Sequence, residues 1–203
     1  MAIDITNPGG SEAQLQAALR GLVGGWVPLE SGIISSPQQF IDVDLPEGFI
    51  AYRLSCVGLT MDGLSFPSYV LSDDGGDTYL IDNDEATAYT YYEEYHDGGS
   101  AAPFTDLTTF GRGRLASFFV AEGDRFAATL DIDPGAAGKW AVIASHLWVA
   151  NSALQWARCQ SFPESTTGRM DAMRLGSADA FNTSPVNRQF ASGAYSLLGI
   201  PAA

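Results

Sequence analysis

From Trp26 to Ile200 the chain is a succession of short runs rich in Val, Ile, Phe, Tyr and Thr, each closed by a cluster of Gly, Pro, Asp or Ser. Such runs read as strands and such clusters as turns. β-branched and aromatic side chains fit a pleated sheet, while Gly, Pro and Asp supply the dihedrals a reversal needs. Strands are predicted near WVPLE, QQFIDVDL, FIAYRLSCVGL, SYVLSD, TYLID, TAYTYYEEY, RLASFFVAE, RFAATLDID, WAVIASHLWVA, QWARCQSF, MDAMRLGS and ASGAYSLLGI. DLPEG, DDGGD, DPGAAG and SPVN each carry a specific turn residue. No βαβ rhythm interrupts them, which removes most nucleotide-binding folds.

Alternation assigns the faces. In FIAYRLSCVGL, Ile50, Tyr52, Leu54 and Cys56 share one face, and Ala51, Arg53, Ser55 and Val57 share the other. In RFAATLDID, Phe126, Ala128, Leu130 and Ile132 point inward. WAVIASHLWVA is more continuously apolar and reads as a central strand. Roughly ten strands with one-sided burial predict an all-β fold, an antiparallel two-sheet sandwich of the jelly-roll type, with a closed barrel as the competing architecture.

The N-terminus differs. After the breaker NPGG comes SEAQLQAALRGLVGG, with Ser11 as N-cap and Leu15, Ala18, Leu19, Leu22 and Val23 at helical spacing until Gly24 and Gly25 stop it. A helix of about three turns is not stable alone and needs a partner. It packs on its own domain, or it bundles with copies of itself or docks into a larger assembly through Leu15, Leu19 and Leu22. The expected organisation is therefore an N-terminal anchoring or oligomerisation segment, residues 1–25, and a β-domain, residues 26–203.

The chain carries 24 acidic against 10 basic residues, a formal charge of −14, and Lys139 is its one lysine. Nucleic-acid affinity rests on phosphate contacts, so binding to DNA or RNA is not expected, nor is binding to an anionic membrane. No apolar window reaches membrane-spanning length, and the first residues lack the basic-then-apolar pattern of a secretory signal, so synthesis in a cytosol is expected. Cys56 and Cys159 are read as buried free thiols.

Three patterns bear on chemistry. The two histidines, His96 and His146, lie in no GxSxG, HExxH or phosphate-loop context. Glu93 and Glu94 are adjacent, so on a strand they point to opposite faces and cannot form a glycosidase pair with each other; catalysis is not expected. In SDDGGDTYLIDNDE, Asp73, Asp74 and Asp77 surround a hairpin-forming Gly pair, and Asp82 and Asp84 form a second acidic turn. These hard oxygens read either as a calcium site or as solvated turns, and the EF-hand spacing is not met. In TAYTYYEEYH, Tyr89, Tyr91, Glu93 and Tyr95 share one parity, and Tyr92, Glu94 and His96 the other. Tyrosines beside an acid form a glycan-binding face, for which Tyr89, Tyr91, Glu93, Tyr95 and His96 are the candidates, with Trp148 or Trp156 as further stacking rings. The same pattern also serves a core or a subunit contact.

The order of these pieces resembles a group of tailed-phage virion proteins, also found in phage-derived particles such as gene transfer agents. The resemblance covers about Trp26 to Ile200 and runs through Trp26 with FIDVDL, the tyrosine-bearing FIAYRLSCVGL, SDDGGDTYL, and a closing strand with Gly193, Tyr195, Leu197, Gly199 and Ile200. It departs from the group at Leu198, where a tyrosine is common, and in having the N-terminal helix. It implies a non-enzymatic tail fibre, spike or head-decoration protein, assembled in the bacterial cytoplasm. Such a protein is a homo-oligomer, commonly a trimer, that contacts other virion proteins and in some cases host cell-surface polysaccharide. A carbohydrate-binding module outside any particle is the alternative, and a glycan-degrading enzyme the second alternative.

Overall fold

A computed structural model describes residues 25–80, 89–97, 107–110, 112–115, 120–135, 140–150, 153–163, 168–181 and 188–202, with backbone alone for 89–97, 107–110, 146–150 and 153–163. The strands are β1 (Val27–Ile34), β2 (Phe40–Asp44), β3 (Phe49–Met61), β4 (Pro67–Ser72), β5 (Tyr89–Asp97), β6 (Leu107–Phe110), β7 (Gly113–Arg114), β8 (Arg125–Asp133), β9 (Ala141–Ala150), β10 (Ala153–Pro163), β11 (Ala172–Ser177) and β12 (Phe190–Pro201). A single helical turn, α1 (Ala178–Phe181), follows β11. Eight strands form one sheet in the order β1-β12-β3-β8-β9-β10-β5-β6, and four form a second in the order β2-β11-β4-β7. Every named pair is antiparallel.

Both sheets contribute to one core. Tyr52, Leu54, Cys56, Phe126, Leu130, Ile132, Val142 and Leu197 come from the large sheet, and Ile41, Val43, Tyr69, Leu71, Met173 and Leu175 from the small one. This is an all-β sandwich: two antiparallel layers bury their apolar parities against each other. β8 follows the sequence expectation residue by residue, with Phe126, Ala128, Leu130 and Ile132 all buried.

β3 departs from it twice. Tyr52, Leu54 and Cys56 are buried as expected, but Ile50 is 59% exposed. The register with β12 slips between Ile200 and Pro201, so that Ile200 pairs with Ala51 and Pro201 with Phe49, and Ile50 has no opposite number. Phe49 packs beside Tyr52 instead, ring centroids 5.9 Å apart. A second irregularity lies between Cys56 and Leu59, at Gly58 with φ 60°. It restores Leu59 and Met61 to the core, although simple alternation from Cys56 assigns both to the outer face.

Other expectations shift at their edges. Thr78, Tyr79 and Leu80 of TYLID are not strand, and the rest of that run lies outside the described residues. RLASFFVAE contributes Arg114 to the two-residue β7, with isolated bridges at Val120 and Glu122. LTTF pairs as β6 without a sequence expectation, in a run too short to show a pattern. Cys56 is buried and unbonded, and burial pushes its thiol up to about 12. The ladders put it opposite Ala128, then His146, then Ala157, so the β10 backbone that carries Cys159 is three strands away. At about 4.8 Å per strand this is about twice the reach of a disulfide.

Candidate functional site

Because partners directly opposite in a ladder share a face, the outward surface of the large sheet can be read row by row. One row runs Ile33, Ala194, Val57 across β1, β12 and β3. Its ends are the exposed apolar side chains Ile33 (82%) and Val57 (57%). The next outward row is Ser31, Ser196, Ser55, Thr129 and Ser145, five hydroxyl residues on five successive strands. A third runs Pro28, Leu198, Arg53, Asp131 and Ile143. The charged residues in these three rows, over β1, β12, β3, β8 and β9, are one pair, Arg53 and Asp131.

That pair borders a depression on this face. Arg53 Nε donates to Asp131 Oδ1 at 2.6 Å, and the two side chains remain 41% and 46% exposed. The Asp131 carboxylate holds the Arg53 guanidinium above its usual range, against a smaller opposing effect of burial. Trp26, immediately before β1, lies with its ring centroid 5.0 Å from the Arg53 guanidinium carbon. Together with Ala51, Asp133, Ala141 and Ile143 these residues line a space of about 250 Å³.

The DGG segment has a different architecture. β4 ends at Ser72, whose hydroxyl donates to Asp74 Oδ1 (2.7 Å) and accepts from the Asp74 and Gly76 amides (3.2 and 2.9 Å). Asp74 in turn accepts from the Thr78 amide at Oδ1 (2.9 Å) and from the Thr78 hydroxyl at Oδ2 (2.5 Å). Gly75 and Gly76 take φ of 76° and 83°, which only glycine adopts without strain. Both Asp74 oxygens are thus engaged in closing the turn, and the Thr78 and Ser72 hydrogen bonds hold this carboxyl below the ordinary aspartate range. The Gly75 amide reaches across to Asp171 Oδ2 at 2.9 Å. Burial raises the Asp171 carboxyl, and the nearby Asp73 and Asp74 charges add to the effect. Among the described residues no group of three or more His, Cys, Asp or Glu is arranged to hold a metal ion. Asp73 and Asp77 sit in this turn, while Asp82 and Asp84 lie outside the described residues.

The tyrosine strand is β5, next to the β6 edge of the large sheet. Its ladder puts Tyr91 in the row of Tyr52, Ile132, Val142 and Ser161, Glu93 in the row of Leu54 and Leu130, and Tyr95 in the row of Cys56 and Ala128. Those rows are the core-facing ones on β3 and β8. His96 lies in the opposite parity, opposite Trp156, and Tyr89 pairs with Pro163 and Phe110. Trp148 pairs with Phe126 and Gln155. By register, then, the three tyrosines with Glu93 form one set and His96 belongs to the other. The side chains of these residues lie outside the described part of the structure, as do Leu15, Leu19 and Leu22.

Trp26, Arg53, Asp131 and Asp133 were not singled out as site residues by the sequence. The available signal was parity: Arg53 and Asp131 are each a charge on the outward parity of an alternating run, Tyr52–Cys56 in β3 and Arg125–Asp133 in β8. That they meet depends on the register between β3 and β8, which alternation does not provide. No protein-family model matches the chain, and no curated protein matches it either.

Proposed function

We propose that this chain is a structural component of a phage or phage-like particle, a fibre, spike or decoration protein, in which the β-domain is a jelly roll and copies associate through the Ile33–Val57 end of the large sheet's outer face, away from the Arg53–Asp131 end. The observation that carries the association is the row Ile33–Ala194–Val57, exposed at both ends, beside a row that is hydroxyl-bearing and uncharged from β1 to β9, on a chain whose net charge is −14. Two copies repel over most of their surface, and an uncharged patch is where they approach at least electrostatic cost. Burying Ile33 and Val57 contributes about 2 kcal/mol per side chain to that contact. The occupant is a second copy of this chain, and a trimer is the state the virion resemblance favours. The pairing of β1 with β12, which joins the two ends of the domain within one sheet, is compatible with jelly-roll wiring.

Light scattering of the purified full chain is the test. The expected result is a discrete oligomer that becomes monomeric when Ile33→Asp and Val57→Asp are combined, with the thermal melt of the domain retained. A chain that is monomeric at high concentration, or an oligomer indifferent to both substitutions, would overturn the assembly reading. A second reading, glycan contact, is favoured by the depression at Trp26.

A further inference from the structure

We infer that the depression between Trp26 and the Arg53–Asp131 pair is a subsite for one neutral sugar ring. This deepens the glycan-contact reading by giving it a place, one distinct from the tyrosine strand. A volume of about 250 Å³ is below the roughly 300–1,000 Å³ of pockets that take drug-sized ligands, so it suits a single ring. Ala51 and Ala141 are small, Ile143 is apolar, and the Trp26 indole supplies an electron-rich face and edge. Such a surface accepts the C–H side of a pyranose.

The polar side is what selects a sugar over a simple apolar group. Arg53 uses Nε on Asp131 Oδ1, and among the described residues no other protein hydrogen bond engages the guanidinium or Asp131 Oδ2. A donor fork and an acceptor oxygen therefore stand side by side on adjacent strands. Vicinal hydroxyls fit that arrangement: one donates to the carboxylate while its neighbour accepts from the guanidinium. Asp133 adds a second acceptor on the rim. One cation and two anions give the depression a net negative charge on an already acidic chain, which disfavours uronic and sialic acids.

Saturation-transfer NMR on the full chain tests this, using the methyl glycosides of glucose, galactose, mannose and N-acetylglucosamine, with N-acetylneuraminic acid as the anionic comparison. Transfer from at least one neutral glycoside is expected. Asp131→Ala and Trp26→Ala should each weaken it about tenfold or more, as loss of a charge-assisted hydrogen bond does. Asp42→Ala, on the other sheet, should leave it unchanged. Asp131→Ala carries the test if Trp26→Ala does not fold, since Asp131 is 46% exposed and its removal leaves no cavity. No transfer from any neutral glycoside, binding that survives Asp131→Ala, or preference for N-acetylneuraminic acid would each sink the subsite. Light scattering of the same variants reads assembly separately, so the two proposals can fail independently.

Discussion

Two arginine–aspartate pairs lie on opposite outer faces of the sandwich, and they are finished differently. On the small sheet, Arg174 of β11 binds Asp42 of β2 through both carboxylate oxygens, Nε to Oδ1 at 2.5 Å and Nη2 to Oδ2 at 3.0 Å. Its guanidinium carbon also lies 4.7 Å from the Phe40 ring centroid and 4.4 Å from that of Tyr79. On the large sheet, Arg53 of β3 makes one contact to Asp131 of β8 and meets one ring, Trp26, with an open depression beside it. The chemistry is the same in kind. What differs is how much bonding capacity remains. The closed pair contributes to folding, and among the described residues no second protein hydrogen bond engages the open pair.

A third arginine extends the comparison. Arg169 donates to the carbonyls of Leu45, Pro46 and Phe49 and to the Tyr52 hydroxyl, fastening the 45–49 loop onto the core. Burial pushes the Tyr52 phenol above its ordinary value, and the Arg169 charge pulls it partly back. Stability loss should follow the degree of engagement. Arg169→Ala is expected to cost about 2–3 kcal/mol, because it removes the donors to the Leu45 and Phe49 carbonyls and a charge-assisted bond to the Tyr52 hydroxyl, which keeps its own bond to the Pro46 carbonyl. Arg174→Ala should cost about 1–2 kcal/mol, from two cation–π contacts and a bidentate but partly exposed pair. Arg53→Ala should cost less than about 1 kcal/mol. Urea midpoints at constant slope give all three. An Arg53→Ala penalty equal to that of Arg174→Ala would make the large-sheet pair structural too, and would remove the contrast.

The sequence disclosed the parts of this molecule that depend on local pattern. β8 was legible to the residue because nothing interrupts Phe126, Ala128, Leu130 and Ile132. β3 was legible between its two irregularities and misread at them. An unpaired Ile50 and a step at Gly58 follow from how β12 and β8 lie alongside, not from the strand's own alternation. β4 is buried along its whole length, Pro67 to Ser72, and its unalternating composition is consistent with that. The turn chemistry of DGG was legible as a turn, whereas the use of both Asp74 oxygens within it was not. The candidate subsite is the least legible of all. Trp26, Arg53 and Asp131 are 27 and 78 positions apart in order, and only strand register brings them together.

The smallest effect concerns a polar tie without a cation. Tyr195 of β12 donates its hydroxyl to Glu30 Oε1 of the edge strand β1 at 2.9 Å. Burial, the hydrogen bond to Glu30 and the Glu30 charge together push this phenol from 10.0 up to about 12. A raised folded-state value means the neutral form is the one the fold favours. The contribution to stability is therefore complete below pH 10, where the unfolded chain also keeps its proton, and is lost as pH rises through about 12. Tyr195→Phe should remove one late step from the phenolate absorbance titration and flatten the alkaline fall of the urea midpoint. Because the group is only partly buried, solvent screening should keep the change at neutral pH modest. If the difference between the wild-type and Tyr195→Phe titrations falls at an ordinary tyrosine value, Glu30 does not hold the hydroxyl. β1 is then kept in place by its ladder and by the core packing of Val27, Leu29 and Ile34. That outcome would make the β1 edge easier to displace, and with it the position of Trp26 beside Arg53.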